Sequence, residues 1–584
     1  MKPIARRIQA IVGSAMAAAI TLSAARALAL DEIFEQHLKQ IKLPPGFHIE
    51  VFAEVPAARS LAYAPETGTV FVGSMRDAVH AVIDQDKNGK AEAVTQILSR
   101  QKVPNGGAWH RDYLYVAEQQ RITRYHAQNF TPGQPWDAKA VVIYDQLPDK
   151  SHHGWRYIGF GPDDKLYVTI GAPCNICDPQ GIEGTIIRMN PDGGSMEVFA
   201  RGVRNSVGFD FHPKTGELYF TDNGVDMMGD DRPPCELNAA PGAGLHFGFP
   251  YYGGGRERHA DWADKQPPLA TTMPVVEFQA HVAPLGLRFN RGDMFPAEYR
   301  HDAFIAQHGS WNRSTPVGYQ IMRIKFDDSG KAVGKETFAE GWLQGSLAWG
   351  RPTDILQLPD GSLLISDDYQ GAIYRITYRA PAVPSRGVEP ADAAQVARQS
   401  GPEPEGSAAA GKFKAATCST CHGIDGNSLF PPWPSLAGQH ATYMVQQLKA
   451  FQSGARQSDF MSNPVRGLSE QDMQDLAAYF AAQIPQPADT DPVLAKRGAG
   501  VYRGENLSSP ALACSTCHGA AGEGNASAGF PALRGQHSGY TATQVKAYAA
   551  GKRLSPTSEV MRQVATRLSE EDIEAVAAHI QALR

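Results

Sequence analysis

Two five-residue motifs hold the residues of this sequence that are best suited to redox chemistry. Each reads C-S-T-C-H, and the copies occupy 418–422 and 514–518. C-x-x-C-H is the attachment signature of a c-type haem, because the thiols bond the vinyl groups and the histidine ligates the iron. A zinc site needs a second ligand pair, a redox C-x-x-C pair needs no histidine, and two identical copies argue against chance. We therefore predict two haem c groups, attached through Cys418, Cys421, Cys514 and Cys517, with His422 and His518 as iron ligands.

A tandem repeat around the two motifs predicts the second iron ligand. Gly438-Gln-His-Ala-Thr-Tyr443 is echoed by Gly535-Gln-His-Ser-Gly-Tyr540. Aligning the two halves pairs Met461 with Met561, whereas the other methionines of the first half have no methionine counterpart. Histidine and methionine ligation raises the iron potential and suits electron transfer. We therefore predict Met461 and Met561 as the second ligands.

Each half of the repeat is typical of a small helical domain. Leu468-Ser-Glu-Gln-Asp and Leu568-Ser-Glu-Glu-Asp each begin a helix with a serine cap and early acidic residues. His440 and His537 also recur, as rival ligands or, as we prefer, as partners of groups at the haem edge. Both halves resemble the class I cytochrome c domains of the dihaem c4 type. The resemblance implies two all-α cytochrome c domains, at 412–485 and 486–584.

Residues 43–378 repeat one pattern six times: an alternating apolar run, a polar turn, and a second alternating run. Alternation with a period of two, broken by turn residues, is typical of β-strands. The early copies lie about fifty residues apart, which is the length of a propeller blade. Six copies predict a six-bladed β-propeller, whereas a β-sandwich would not repeat the pattern in this way. The copies begin at Leu61, Gly107, Tyr157, Val207, Leu285 and Thr353.

Composition and the remaining segments complete the domain plan. The chain of 584 residues is too long for one domain. A net charge of −6 without a Lys/Arg tract argues against nucleic acid as a partner. Residues 1–29 have the basic start, apolar run and Ala-Leu-Ala site of a cleaved signal peptide, with an uncleaved anchor as the alternative. We predict a propeller domain at 30–378, a Pro- and Ala-rich linker at 379–411, and no membrane span in the mature chain.

Three cysteines remain once the haem motifs have taken four of the seven. Cys174-Asn-Ile-Cys177 is followed by Asp178 where a haem motif has histidine, so it does not predict a third haem. An exported protein meets an oxidising compartment, which favours a local disulfide between Cys174 and Cys177. Cys235 is then free, although pairing with Cys235 is the alternative.

Three stretches of the propeller place histidine, arginine and asparagine next to predicted strand ends. Two adjacent histidines and several arginines at repeat ends indicate one anionic ligand, held where the blades converge. A lone histidine in such a place is usually structural. The first stretch is Ser151-His152-His153-Gly-Trp-Arg156. The second is Gly202-Val-Arg204-Asn205-Ser-Val-Gly with Thr221-Asp-Asn223-Gly224-Val225-Asp226 and Glu236-Leu-Asn238. The third is His308-Gly-Ser-Trp-Asn-Arg313 with Gly350-Arg351-Pro-Thr353-Asp354.

These stretches resemble the quinoprotein sugar dehydrogenases, a group of six-bladed propellers that use pyrroloquinoline quinone (PQQ) with calcium. The strings GPDDKLYVTIG at 161–171, CNIC at 174–177, RGVRN at 201–205 and HGSWNR at 308–313 are most similar to the sorbosone and pyranose branch. The resemblance covers most of 43–378. It implies PQQ and Ca²⁺ as cofactors and oxidation of a sugar or an aldehyde as the reaction.

The resemblance also assigns roles to residues. His153 matches the general base, although the choice between it and His152 stays open because His152 stands where the best-known branch has an acid. Arg204 and Asn205 match the pair at the quinone carbonyl, where a cation stabilises developing negative charge. Gly224 and Val225 fall where backbone carbonyls hold the calcium.

Cofactor binding is assigned to four further residues. Arg351 matches an arginine that pairs with a cofactor carboxylate, and the second basic residue expected just after it is Thr353 here. We therefore expect a residue elsewhere in the propeller to take part in binding the cofactor carboxylates, and Arg313 is the candidate. Arg59 and His308 are further predicted contacts.

The two halves of the chain fit one redox function. Oxidation of one sugar or aldehyde releases two electrons, and two haems accept one each. We predict a periplasmic dehydrogenase whose electrons pass through the haems to a soluble cytochrome or a terminal oxidase. The alternatives are a dehydrogenase of alcohols or polyols, and an electron carrier whose propeller binds a ligand without catalysis. The sequence does not indicate which haem faces the propeller.

Overall fold

The computed structural model describes residues 34–128, 130–134, 136–380, 406–505, 513–553 and 558–584. The predicted signal peptide lies outside these residues, as does most of the predicted linker. No helix in the part of the chain that is described is long and apolar enough to cross a membrane.

The N-terminal domain consists of six antiparallel blades, and its first strand, β1 (Phe47–Glu54), belongs to the last of them. Blade 1 contains β2 (Ala58–Ala64), β3 (Thr69–Ser74), β4 (Val79–Ile83) and β5 (Ala93–Leu98). Blade 2 contains β6 (Gly106–His110), β7 (Tyr113–Ala117), β8 (Ile122–His126) and β9 (Ala140–Tyr144). Blade 3 contains β10 (Ile158–Phe160), β11 (Leu166–Ile170), β12 (Thr185–Met189) and β13 (Glu197–Arg201).

The second half of the ring carries the insertions. Blade 4 begins with β14 (Phe209–Phe211), β15 (Leu218–Asp222) and β16 (Pro234–Ala240). The chain then forms β17 (Leu245–His246) and the hairpin of β18 (Tyr252–Gly254) and β19 (Glu257–Arg258), which are not part of this blade. The fourth strand of blade 4 is β20 (Val276–Ala280). Blade 5 contains β21 (Pro284–Phe289), β22 (Ala303–Gln307), β23 (Gln320–Phe326) and β24 (Ala332–Glu340). After the hairpin β25 (Leu343–Gln344) and β26 (Leu347–Ala348), blade 6 contains β27 (Pro352–Gln357), β28 (Leu363–Asp367), β29 (Ala372–Tyr378) and β1.

The repeated sequence pattern corresponds to the first two strands of each blade. The first strands contact those of neighbouring blades around the axis, and the second strands of five blades are buried at every residue. Outer strands such as β9 are largely exposed. Strands covered on both faces need apolar or small residues throughout, which explains why the inner strands gave the clear signal.

The ring is closed by its two ends. Strand β1 pairs antiparallel with β29, from Phe47 opposite Tyr378 to Glu54 opposite Ala372. The last blade therefore takes three strands from the end of the domain and its fourth strand from the beginning. Radial closure leaves the outer strand of each blade as its edge.

All-α domains follow the propeller, so the predicted fold class is confirmed. The first contains α1 (Ala408–Lys414), α2 (Ala416–His422), α3 (Ala441–Gln452), α4 (Ser462–Val465) and α5 (Glu470–Ala481). The second contains α6 (Pro492–Arg503), α7 (Cys514–His518), α8 (Ser538–Ala549), α9 (Ser558–Ala565) and α10 (Glu570–Ala582).

Helix α1 begins inside the segment predicted as linker. The backbone N–H of Ser407 donates to Asp475 of α5 at 2.7 Å, and Lys414 pairs with Asp472 of the same helix at 2.8 Å. These contacts hold a short Ala-rich helix that composition alone did not indicate. The first cytochrome domain, as the term is used below, therefore comprises 406–485, and the second comprises 486–584.

The first cytochrome domain shares a hydrophobic core with the propeller. One cluster of buried side chains joins Trp349 and Tyr369 of the propeller to Phe413, Leu476 and Phe480 of the first domain. The second domain has a separate core around Tyr502, Val576 and Ile580. The propeller and the first cytochrome domain are thus packed as one unit.

Candidate functional site

The predicted site residues of the propeller lie at one end of the ring. In antiparallel blades the start of the first strand and the end of the second strand meet at the same edge. Residues that precede a first strand or follow a second strand therefore collect at this end. They are Arg59 on β2, His153 before β10, Arg204 and Asn205 before β14, Gly224 and Val225 after β15, His308 after β22 and Arg351 before β27.

His153 is buried, and its ring orientation is fixed. Its Nδ1 lies 2.9 Å from the carbonyl oxygen of Ala172, so Nδ1 carries the proton and Nε2 is left as an acceptor. Burial, followed by the positive charge of Arg204, holds the pKa of His153 well below 6.5. A Cβ on Gly171 would lie 2.5 Å from the Cβ of His153, so this approach requires glycine. The result is a neutral, oriented imidazole.

Arg204 is held by a network of oxygen acceptors. Its side chain donates to the carbonyl and the amide oxygen of Asn175 at 3.0 and 2.7 Å, to the carbonyl of Asn223 at 3.1 Å, and to Asp226 at 2.8 Å. Asn175 lies within the disulfide loop that Cys174 and Cys177 close, as the sequence favoured. The loop therefore positions a cation beside His153.

Asp222 holds the backbone on which Arg204 and Asn205 stand. Its two carboxylate oxygens accept the N–H groups of Arg204 at 2.8 Å and Asn205 at 2.6 Å. Burial raises the pKa of Asp222 to about 6, against the effect of these hydrogen bonds. The carboxylate thus fixes both neighbouring site residues.

Several buried oxygens beside these residues have no hydrogen-bond donor in the described structure. They are the amide oxygens of Asn205, Asn223 and Asn312. The carbonyls of Gly224 and Val225 lie next to them along the chain and accept no hydrogen bond from the described residues. Uncharged oxygen atoms are ligands that Ca²⁺ takes. This donor set fits calcium.

A second cluster lies across the mouth of the propeller. Arg59 pairs with Asp368 at 2.7 Å, and Nε2 of His308 lies 2.9 Å from the other carboxylate oxygen. Burial, with the charge of Arg351, lowers the pKa of His308 to about 4. Although burial opposes ionisation, His308, Arg59 and Arg351 hold the pKa of Asp368 below its ordinary value. The cluster brings together two buried cations, which suits an anionic ligand.

Two predicted cofactor contacts differ from expectation. Arg313 is directed away from the other arginines and donates to the carbonyl of Asp230 and, at 3.3 Å, to the carboxylate of Asp231. Arg351 donates to the carbonyl of His308 at 3.1 Å and also to Thr420, which lies inside the first C-S-T-C-H motif. The structure thus does not bring Arg313 into the arginine cluster, and Arg351 is bonded to the first cytochrome domain.

The residues of the two haem motifs line one continuous cavity of about 510 Å³. His422 and His518 direct Nδ1 at the carbonyls of Pro434 and Pro531, at 2.8 and 2.9 Å. Nε2 is therefore left to face the cavity, and burial lowers the pKa of both rings, which keeps them neutral as metal binding requires. The same wall includes Cys418, Cys421, Cys514, Cys517, Met461 and Met561. These donors fit haem c.

The recurring histidines do not line this cavity. Nε2 of His537, the residue before α8, lies 2.9 Å from the carbonyl of Ser428 in the other cytochrome domain, and His440 occupies the same position before α3. The methionines, by contrast, are both in the cavity wall. The structure therefore favours the methionines over the histidines as iron ligands.

The two cytochrome domains meet through contacts related by a pseudo-twofold axis. Gln439 exchanges two hydrogen bonds with the backbone of Ala532, and Gln536 exchanges two with the backbone of Ser435. Such reciprocal pairing is the pattern of an isologous interface. A second pair of contacts joins Arg456 to Tyr540 at 3.0 Å and Arg553 to Tyr443 at 2.6 Å.

Sequence reasoning assigned no role to several residues that act between elements. Asp368, Asn175 and Asp226 position the site arginines, and Trp311 lines the haem cavity although it belongs to the propeller. A weak signal was available for Asp368, because it directly follows Asp367, the last residue of the second strand of blade 6. Nothing in the sequence brought Trp311 close to a haem motif.

Comparison with known proteins separates the chain into the same two parts. Residues 113–375 match the family Glucose / Sorbosone dehydrogenase, and residues 408–482 and 495–584 match the family Cytochrome c. An uncharacterised protein of Borreliella burgdorferi is 36% identical over 359 residues, which are 59% of this chain and 92% of that protein. Cytochrome c4 of Stutzerimonas stutzeri is 42% identical over 188 residues, which are 30% of this chain and 90% of the cytochrome.

One solved structure aligns with the propeller part of the chain at low identity. The PQQ domain of pyranose dehydrogenase from Coprinopsis cinerea is 16% identical with a TM-score of 0.49, and the match covers 58% of this chain and 97% of that domain. The propeller, the cytochrome domains and the matches to both families agree along the sequence. The chain belongs to the glucose/sorbosone dehydrogenase family in its propeller, which is fused to cytochrome c domains homologous to cytochrome c4.

Proposed function

We propose that this protein is a periplasmic quinohaemoprotein that oxidises an aldose or a sorbosone-like aldehyde at C1. PQQ and Ca²⁺ are the proposed cofactors of the propeller, and two haem c groups carry the electrons to a soluble cytochrome or a terminal oxidase. The observation that carries the proposal is the cluster of His153, Arg204 and Asn205 at the mouth of a propeller of this family. A chain-linked pair of cytochrome domains follows that propeller.

The cofactors divide between the two clusters at the mouth. PQQ, when bound, supplies a quinone that accepts hydride from the substrate. Arg59, His308 and Arg351 would contact its acidic groups, and Gly224 and Val225 would offer carbonyl oxygens to calcium. Arg313 is bonded to Asp230 and Asp231, so we assign it a role in holding this loop rather than in binding PQQ.

The residues around His153 are arranged for proton removal. The Nδ1–H donates to the carbonyl of Ala172, so Nε2 is free to take the proton of the C1 hydroxyl of a cyclic aldose or of a hydrated aldehyde. Its lowered pKa keeps that atom unprotonated near neutral pH. Arg204 is held in place by Asn175 and Asp226, which fixes a positive charge where negative charge develops.

The haem spectrum of the PQQ- and Ca²⁺-loaded protein tests this proposal. Aldoses, aldehydes and alcohols are added in turn to the oxidised protein. Haem reduction by a sugar or aldehyde, dependent on PQQ, is the expected result. If only alcohols or polyols reduce the haems, the protein is a dehydrogenase of alcohols or polyols rather than of sugars or aldehydes. Haems that stay oxidised with every substrate, yet accept electrons from dithionite, would indicate an electron carrier with a binding propeller.

A further inference from the structure

We infer that electrons leave the propeller through the first cytochrome domain, and that Trp311 and Arg351 form the contact through which they pass. The inference rests on the proposed function and adds the order of the two haem sites. The second cytochrome domain is then the one that delivers electrons to the external acceptor.

Arg351 joins the candidate cofactor site to the first haem motif. Its guanidinium donates to the carbonyls of His308 and Gly309 at 3.1 and 3.2 Å on the propeller side. On the other side it donates to the hydroxyl of Thr420 and to the carbonyl of Ala416 at 3.4 Å. Thr420 lies between the two cysteines of the first motif. One side chain therefore contacts both redox sites.

Trp311 makes a second connection from the same loop. Its ring stacks on Phe460 with centroids 6.2 Å apart and lies 6.4 Å from Trp433, and all three line the haem cavity. The next residue, Asn312, donates to Asp226 at 3.1 Å, and Asp226 is the partner of Arg204. An aromatic ring of the propeller thus forms part of the haem wall, next in sequence to a residue that bonds the partner of Arg204.

Other contacts keep the first cytochrome domain over the mouth. Tyr319 lies 3.3 Å from the hydroxyl of Thr417. The ring of His152, beside His153, lies 6.1 Å from Phe430. An ion pair of 3.4 Å joins Arg76 to Asp425, and a shared core lies behind these contacts. They come from several blades, so the domain is fixed in one position.

The contacts of the second cytochrome domain differ from these. Among the described residues of 486–584, Arg567 excepted, none has a hydrogen bond, an ion pair or an aromatic contact to the propeller. Its contacts go to the first domain, through Gln439, Gln536, Arg456 and Arg553. The order propeller, first domain, second domain follows from these contacts.

The electron count closes along this route. Oxidation of one substrate molecule at C1 releases two electrons and two protons. A haem held by His422 in the first domain would take these electrons one at a time, with reduction of ferric to ferrous iron. It would hand the first electron to a ferric haem held by His518 in the second domain before taking the other. His153 takes the hydroxyl proton, and both protons go to solvent.

Arg351 also has an electrostatic effect that can be measured without substrate. A fixed positive charge beside a haem favours the ferrous form, which has one positive charge fewer than the ferric form. Replacing Arg351 by glutamine should therefore lower the potential of the first haem and leave the second unchanged.

The first test is a redox titration of the haem-loaded protein, followed by absorbance. Met461→His and Met561→His identify the two waves, because loss of methionine ligation lowers the potential of the haem concerned. In Arg351→Gln we expect a downward shift of the wave that Met461→His moves. Arg111→Gln, at an exposed site in blade 2, is the matched control and should move neither wave. A shift of the other wave, or of neither, would overturn the inference.

The second test follows haem reduction by substrate in a stopped-flow instrument. We expect Met561→His to leave reduction of the first haem intact and Met461→His to slow reduction of both. Trp311→Ala should slow haem reduction several-fold while reduction of a small dye acceptor by the propeller persists, and Trp311→Phe should lie between. Unchanged haem reduction in Trp311→Ala, or blocked first-haem reduction in Met561→His, would contradict the route.

These outcomes separate the inference from the proposed function. If the proposed function fails, no substrate reduces either the haems or the dye in the unmodified protein. The titration of Arg351→Gln still decides which haem the propeller contacts. If the inference alone fails, the unmodified protein reduces its haems with sugar and the variants do not change the rate.

Discussion

Arg59 and Asp368 form an ion pair of 2.7 Å in which each side chain is only 3% exposed. The pair joins the first and last blades at the mouth of the ring. Removing one partner of a buried pair leaves an uncompensated charge, which is strongly destabilising. Arg59→Met should therefore lower the free energy of unfolding by about 3 kcal/mol, even though His308 still contacts Asp368. Urea unfolding of the PQQ-free protein measures this change.

An exposed ion pair provides the control for that measurement. Lys42 and Glu340 lie 3.1 Å apart with side chains 78% and 48% exposed. Lys42→Met should change the unfolding free energy by less than about 1 kcal/mol. If the unfolding free energy falls equally in the two variants, the buried Arg59 pair contributes no more to stability than the exposed pair.

His153→Ala should abolish most substrate oxidation without loss of haem. A positioned general base typically contributes about 10²- to 10⁴-fold, so a rate loss in that range is expected. Turnover with a dye acceptor and the haem content are measured on the same sample. His126→Ala, at an exposed position on β8, is the control and should keep full turnover. Full activity in His153→Ala would mean that His152 or another group is the general base.

The pH dependence of both rate and stability should reflect the low pKa of His153. Burial and Arg204 lower this pKa well below 6.5, so the base stays unprotonated at neutral pH and the rate falls only as pH drops through the lowered value. Below about pH 6.5 the unfolded chain binds a proton that the folded protein excludes, so the unfolding free energy decreases as pH falls. Urea midpoints at about pH 7.5 and about pH 5.5 measure the slope. His153→Asn should reduce this slope, and an unchanged slope would show that the site does not contribute.

Met461→Ala and Met561→Ala should each remove sulfur ligation from one haem. The weak sulfur-to-iron charge-transfer absorption of the ferric protein should fall by about half in each variant and vanish in the double variant. Met444 is buried and lines the same cavity, but it has no counterpart in the second domain. Met444→Leu should keep the full absorption. A loss in Met444→Leu with none in Met461→Ala would reassign the ligand.

The sequence was informative where one pattern recurs. The six copies of the strand pattern predicted the propeller because inner strands are covered on both sides by neighbouring blades. The two haem motifs and the pairing of Met461 with Met561 came from a duplication, which repeats chemistry at a fixed spacing. The disulfide between Cys174 and Cys177 could be predicted because the two cysteines are close together in the sequence.

Contacts between distant parts of the chain could not be predicted from the sequence in this way. Arg351 was expected to pair with a cofactor carboxylate, and its bond to Thr420 depends on how the first cytochrome domain packs on the ring. Arg313 was expected at the same cofactor, but a loop of blade 4 offers it Asp230 and Asp231 instead. Both contacts depend on tertiary packing. They could not be predicted from one sequence that has no repeat at these positions.

The pairing of β1 with β29 also has a consequence for synthesis. The first strand of the domain must wait for its last strand before blade 6 can form, so the ring cannot close until the chain has been made through residue 378. Such long-range pairing slows folding, because the entropy of closing the loop must be overcome first. Deleting 47–54 should therefore leave β29 as an open edge that recruits other chains, and aggregation on refolding would report it.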